Sequence, residues 1–248
     1  MNMVPAVIFF SLFASILPSH SATIRLSTTD SVISGKRNQG WWSDTFENVA
    51  RNPKYLIGTF GIIVQDNRAT YRSHVSFDLP DLDEQVISAT LRLTRFGSAG
   101  GELPGDRNNI NSGVVQTIEL FDVSTNAVVL NTTDGINLRI FEDVGTGGSY
   151  GHFDRLQIWN ASGVEEFALN RAALDAINAA GPGAFSIGLT LPSATPNVNH
   201  FLFGPSFWDD SVQELVLVTP EPGYSALGTV VGLLFVSRRR RHFSGGKD

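Results

Sequence analysis

The chain has no cysteine among its 248 residues. Disulfides, thiol nucleophiles, zinc–thiolate sites and iron–sulfur clusters are all excluded by that single absence. Stability must come from the apolar core, with a bound ion as the one other candidate. Charge is sparse as well, at 17% of residues. Five basic residues (Arg238 to Arg241 and Lys247) and two acidic ones (Glu221, Asp248) fall past Thr219, so residues 22–219 carry 13 basic against 22 acidic residues, a net of −9. A domain of that sign has no electrostatic footprint for nucleic acid and no basic patch for anionic lipid. Nor does the chain hold a G-x-S-x-G, H-E-x-x-H or kinase motif or an internal repeat, and no EF-hand pattern is present.

What is there, between the ends, is alternation. Val75, Phe77 and Leu79 lie on one face of a strand over Thr70 to Leu79, with His74, Ser76 and Asp78 on the other, and Pro80 stops it. Ile87, Ala89, Leu91 and Leu93 alternate with Ser88, Thr90, Arg92 and Thr94, and Phe185, Ile187, Leu189 and Leu191 repeat the pattern. A period of two marks a strand with one buried face. Further strands are expected near Ile24, over Tyr55 to Gln65, over Val114 to Val123 with a phase slip between Leu120 and Phe121, over His200 to Phe203 and over Val212 to Val218. Ser124 to Thr133 has room for a turn of helix, and one full helix is expected over Asn170 to Ala180, capped by Asn170 and stopped by Gly181-Pro182. The sum is a mainly β chain, a β-sandwich or jelly roll with one short helix.

The two ends differ from the middle. Val4 to Leu17 is an apolar core, and Ser19-His20-Ser21 puts small residues at −3 and −1, which reads as a secretory signal peptide over residues 1–21, cut before Ala22. Residues 1–5 carry no Lys or Arg, so an uncleaved N-terminal anchor is the alternative. At the far end, Pro220-Glu221-Pro222 interrupts regular structure. An uncharged span of 15 residues, Gly223 to Ser237, precedes Arg238, Arg239, Arg240 and Arg241. A helix needs about 20 residues to cross the hydrocarbon core, so this single membrane segment requires a thinned bilayer or snorkelling arginines. The basic flank keeps the arginines cytoplasmic and the domain on the other side.

Pro220-Glu221-Pro222, the apolar span and the arginine cluster resemble the PEP-CTERM sorting signal of exported bacterial proteins. The resemblance covers residues 220–241 and leaves a short tail, 242–248. It implies export by Sec-type machinery, cleavage by signal peptidase, and processing by a membrane-embedded exosortase at the motif. It further implies a final location at the cell surface or in the extracellular matrix, in company with exopolysaccharide and biofilm. It says nothing of the activity of residues 22–219. A second, shorter resemblance lies in Tyr71-Arg72-Ser73-His74-Val75-Ser76-Phe77-Asp78-Leu79-Pro80 and Val86 to Leu93. These strands are similar to those of DNRLRE-type and disaggregatase-associated β-sandwich modules, which are themselves similar to carbohydrate-binding domains.

Candidate sites are few. Trp41, Trp42 and Trp208 offer flat apolar faces on which sugar rings stack, because a large rigid ring loses little rotamer freedom on binding; capping the core is the competing role. Asp78, Asp81, Asp83 and Glu84 crowd one turn and supply oxygens of the kind Ca²⁺ takes, against a simple solvated turn. Glu142, Asp143, His152 and Asp154 flank the glycine-rich stretch Gly145 to Gly151, which does not spell a dinucleotide fingerprint. Asp209, Asp210 and Glu214 include potential glycosidase carboxylates, a role that needs two of them across a cleft. The expectation is an exported, non-enzymatic β-sandwich, with no cofactor beyond structural calcium, that takes exopolysaccharide as its candidate ligand. A glycan-processing enzyme and a purely structural matrix component are the alternatives.

Overall fold

The computed structural model describes residues 21–30, 32–33, 38–48, 55–62, 67–95, 115–156, 163–194, 200–202 and 212–220. Eleven strands and three short helices are found there. The strands form two antiparallel sheets. One holds β1 (Ser21–Ser27), β11 (Glu214–Pro220), β5 (Ser88–Arg95) and β8 (Gly163–Ala168), in that order. The other runs β10 (His200–Leu202), β3 (Ile57–Ile62), β4 (Asn67–Leu79), β9 (Gly183–Thr190), β6 (Val115–Asp122) and β7 (Ser149–Leu156). Strand β2 (Gln39–Ser43) pairs with β4 along the edge opposite β3, since Tyr71 has Ser43 as its partner on one side and Gly58 on the other.

The alternation read from the sequence is what fills the interior. Leu91 and Leu93 of β5, Leu215 and Leu217 of β11 and Phe167 of β8 share one buried cluster with Val75 and Phe77 of β4, Ile118 and Leu120 of β6, and Ile187 and Leu189 of β9. The inward rows of both sheets thus meet in a single core. Ile87, assigned inward by its spacing, is 54% exposed instead. It precedes β5, and its amide donates to the Val218 carbonyl, 2.8 Å away, as the ladder begins. The β6–β7 register shifts between Leu120 and Phe121, where the sequence alternation slips, as a bulge requires.

Three helices, rather than one, decorate the sheets: α1 (Ala127–Thr132), α2 (Leu138–Asp143) and α3 (Arg171–Ala180). Each opens on an asparagine. The side-chain oxygens of Asn126, Asn137 and Asn170 accept from the amides of Val128, Ile140 and Ala173 at 2.8, 3.2 and 3.1 Å, satisfying donors the first turn leaves unpaired. Helix α3 buries Ala173 and Ile177 in the main core. Its Asn178 amide both donates to the Val86 carbonyl and accepts from the Val86 amide, at 3.0 and 2.7 Å. Helices α1 and α2 cover the other side of β4.

That cover requires backbone to approach backbone. A Cβ on Gly188 of β9 would lie 2.0 Å from the carbonyl oxygen of Val144, the residue ending α2, and one on Gly147 would lie 2.1 Å from that of Asp122. The glycine-rich stretch is therefore a close-packing device. Among the described residues no helix is long and apolar enough to cross a membrane. The expected segment at 223–237 and residues 1–20 of the expected leader at 1–21 lie outside the described residues, while Ser21 opens β1.

Candidate functional site

Adjacent residues on a strand point to opposite faces, and β2 divides its two tryptophans accordingly. Trp41 lies opposite Ser73 and Trp42 opposite Arg72. Trp42 has no exposed surface and sits among Val123, Leu130, Ile140, Phe141 and Val144. It is a core residue of the α1–α2 layer, so the sugar-stacking role considered for it is withdrawn. The pair lies in a strand and not in a polar loop.

Trp41 is half-buried and belongs to a separate cluster with Phe46, Tyr71, Leu56 and Ala69. Its ring meets Tyr71 edge-on, with centroids 5.0 Å apart, and Phe46 stacks on Tyr71 at 6.3 Å. The turn after β2 creates this arrangement. Ser43 Oγ accepts from the amides of Thr45 and Phe46, at 3.0 and 2.9 Å, and so folds the chain back over Tyr71. Asp44 is held in the same turn: its Oδ1 accepts from the Thr70 amide at 2.9 Å and from the Thr45 hydroxyl at 3.1 Å. Burial first, and the Asp44 charge second, push the Tyr71 phenol up to about 12, so it is neutral throughout the physiological range. The result is a buried Tyr71 covered by the half-buried rings of Trp41 and Phe46, with a carboxylate beside them. Asp44, Phe46 and Tyr71 carry no sequence signal that singles them out, because Tyr71 and Asp44 meet only through the β2–β4 register.

The opposite face of β4 is closed. Arg72 donates through Nη1 to the carbonyls of Phe141 and Glu142, at 3.0 and 3.1 Å, and lies 4.2 Å over the Phe141 ring. It thereby satisfies carbonyls at the end of α2. His74 is buried and faces Asn131 Oδ1 from Nε2 at 3.3 Å. The Asn131 amide nitrogen donates to Ala127 O at 2.7 Å, so its oxygen must be the acceptor and His74 must carry its proton on Nε2. Nδ1 of His74 and Nε1 of Trp42 find no hydrogen-bond partner among the described residues. Burial drives the His74 imidazole down to about 4, against the opposing bond from Asn131.

The other candidates separate. Asp81 and Asp83 are exposed and Asp78 and Glu84 half-buried. Among the described residues no three His, Asp or Glu side chains gather to hold a metal ion, so the turn at Asp78, Asp81, Asp83 and Glu84 forms no such group. Asp143 takes the Ser124 hydroxyl at 2.6 Å and the Thr125 amide at 2.7 Å; burial raises its carboxyl, but these bonds outweigh it and hold the group below its ordinary value. His152 pairs instead with Glu119 across β6–β7, at 3.3 Å, and lies 3.6 Å from Asp154. Asp143 on one side of the glycines and His152 with Asp154 on the other therefore serve separate structural contacts. Glu214 is held between Arg25 and Arg92, and Arg92 reaches Glu166, in a charge ladder across the outer face of the four-stranded sheet. Trp208, Asp209 and Asp210 lie outside the described residues, as do Glu221, Pro222 and Arg238 to Arg241. Pro220 is the exposed last residue of β11 and pairs with Ser21, the first residue of β1. Neither a protein-family model nor a curated protein sequence matches this chain.

Proposed function

We propose that the chain is an exported, envelope-sorted β-sandwich protein without catalytic activity, and that it binds exopolysaccharide through the surface around Trp41. The observation that carries the binding half is the pair of half-buried rings Trp41 and Phe46, packed on the buried Tyr71, with Asp44 at the rim. Stacked aromatics offer an apolar platform for the faces of sugar rings, and a fixed carboxylate orients hydroxyl donors. Asp44 and Asp143 are engaged in turns and Glu166 and Glu214 in the charge ladder, structural roles that favour binding over hydrolysis. The sorting half rests on the order Pro-Glu-Pro, apolar span, arginines, and on the proximity of the two ends. Strands β1 and β11 pair from Ser21 with Pro220 to Ser27 with Glu214, so leader and tail join the domain at one corner of one sheet. On this reading the leader is removed by signal peptidase after Sec-type export. An exosortase-type protease then cuts near residues 220–222, and the domain stays at the cell surface or in the matrix.

The binding claim is tested with the full-length chain in detergent, titrated with exopolysaccharide of the producing cells while released sugar is assayed. Saturable binding, no released sugar and at least tenfold weaker binding by Trp41→Ala are expected. Sugar release would make the protein an enzyme, and unaltered binding by the variant would place the site elsewhere. For the tail, alanines in place of Pro220, Glu221 and Pro222 should leave a larger, membrane-retained form on immunoblots of fractionated cells. Processing of that variant at the normal rate would end the sorting claim.

A further inference from the structure

On the glycan-binding reading just given, we infer that the Trp41 site takes sugars that are neutral or carry an ammonium group and turns away uronic acids and sulfated sugars. The charge at the rim is fixed in place. Asp44 Oδ1 is committed to the Thr70 amide and the Thr45 hydroxyl, while Oδ2 has no hydrogen-bond partner among the described residues. A carboxylate is an acceptor only, with about four lone-pair sites on its two oxygens, so Oδ2 is left to accept from a ligand hydroxyl or ammonium. Its field acts at the aromatic surface itself, since it raises the Tyr71 phenol. Glu47, exposed on the same turn, adds a second negative charge nearby.

No described cation balances them. Arg72 is close enough to feel Asp44, but it belongs to the opposite face of β4, where its Nη1 serves the carbonyls of Phe141 and Glu142 and its guanidinium covers the Phe141 ring. An anionic sugar stacked on Trp41 would therefore bring its charge toward Asp44, with no described cation on that face of β4 to offset the repulsion. An ammonium group gains at the same position, from the carboxylate and from the negative faces of the rings. The excess of acidic residues over residues 22–219 acts in the same direction at longer range.

Three oligosaccharides of similar length test this by calorimetry with the full-length chain in detergent at pH 5.5 and about 0.15 M salt: a neutral β-glucan hexaose, a chitosan hexaose and a polygalacturonate hexamer. The chitosan oligomer should bind tightest, the neutral one next, and the galacturonate at least tenfold more weakly than the neutral one. Asp44→Asn keeps the Oδ1 acceptor for the Thr70 amide while removing the charge. It should weaken chitosan binding at least fivefold, weaken the neutral hexaose less, through loss of the Oδ2 acceptor, and strengthen galacturonate binding relative to the neutral sugar. Trp41→Ala should weaken all three. Galacturonate binding as tight as neutral binding would overturn the charge selection and leave the glycan site standing. Binding of none of the three would overturn both. Chitosan binding unchanged in Asp44→Asn and Trp41→Ala would be diffuse attraction to an acidic domain and would overturn the assignment to this site.

Discussion

Gly188→Ala should destabilise the protein by about 3 kcal/mol, the upper end of what overpacking usually costs. The new methyl group would stand 2.0 Å from the Val144 carbonyl oxygen, 2.8 Å from its carbon and 3.1 Å from Cγ2 of Val123. The first two are backbone atoms and cannot rotate aside as a side-chain tip would. Relief requires α2 to lift from β9. Ile140, Phe141 and Val144 would then lose their contact with Trp42, and Arg72 would be drawn away from the carbonyls it serves. For a domain of this size the expected loss is roughly 6–12 °C in Tm. Trp fluorescence should shift to the red as the indole of Trp42 meets water. Gly148→Ala is the matched control, because a Cβ there meets nothing within 4 Å, and its effect should stay within about 0.5 kcal/mol. Equal melting of the two variants would mean that α2 does not rest on Gly188.

Mild acid should weaken the fold by about two orders of magnitude in the folding equilibrium, through His74. Burial lowers this imidazole from an ordinary 6.5 to about 4. Above pH 6.5 neither the folded nor the unfolded chain holds the proton, and His74 contributes no pH dependence. As the pH falls below 6.5 the unfolded chain takes up a proton and the folded one does not, so stability falls by up to tenfold per pH unit. The slope ends near pH 4, where the folded chain begins to protonate too. Asp143 acts below this window: its carboxyl is held below 3.8, so the stability it contributes is present above that pH and is lost as the pH drops past it. The two contributions therefore separate along the pH axis. Urea midpoints at pH 7, 6, 5 and 4.5 measure the first. His74→Gln, which keeps an amide donor for Asn131 and cannot titrate, should flatten the curve in that range. A wild-type midpoint that does not move between pH 6.5 and 4.5 would rule out a neutral, buried His74.

How far the sequence carried the fold is clearest strand by strand. The rows Val75-Phe77-Leu79, Ala89-Leu91-Leu93 and Phe185-Ile187-Leu189 are buried as their period of two required. A slip in the same alternation predicted the bulge at Leu120, and the Asn170 cap with the Gly181-Pro182 stop predicted the helix α3. These patterns fell short where periodicity is weak or local signals are brief. Strand β8 carries Glu165 and Glu166 at a sheet edge, and β7 has Gly151 and His152 in the middle of its pattern. Helix α2 has six residues, too few for a helical period to emerge, although its cap, Asn137, is the same signal that marked α3. His74 and Ser76 were assigned to the polar face of β4, and they do share one; both are nonetheless buried, since alternation says which residues share a face and not what covers it.

The candidate site was legible only as a pair of tryptophans. From the sequence alone follow the mainly β character, the faces of the central strands, the absence of any thiol chemistry, the acidic balance of the domain and the order Pro-Glu-Pro, apolar span, arginines in the tail. All of these rest on composition or on residues within a few positions of one another. Tertiary structure decided that Trp42 is buried and Trp41 half-open. It brought the Thr70 amide to the Asp44 carboxylate, 26 residues apart along the chain. The physical reason is that each of these depends on the register of β2 against β4 and on two short helices docking over it, and such long-range pairings are specified by the packing of the whole core and not by any local stretch of sequence.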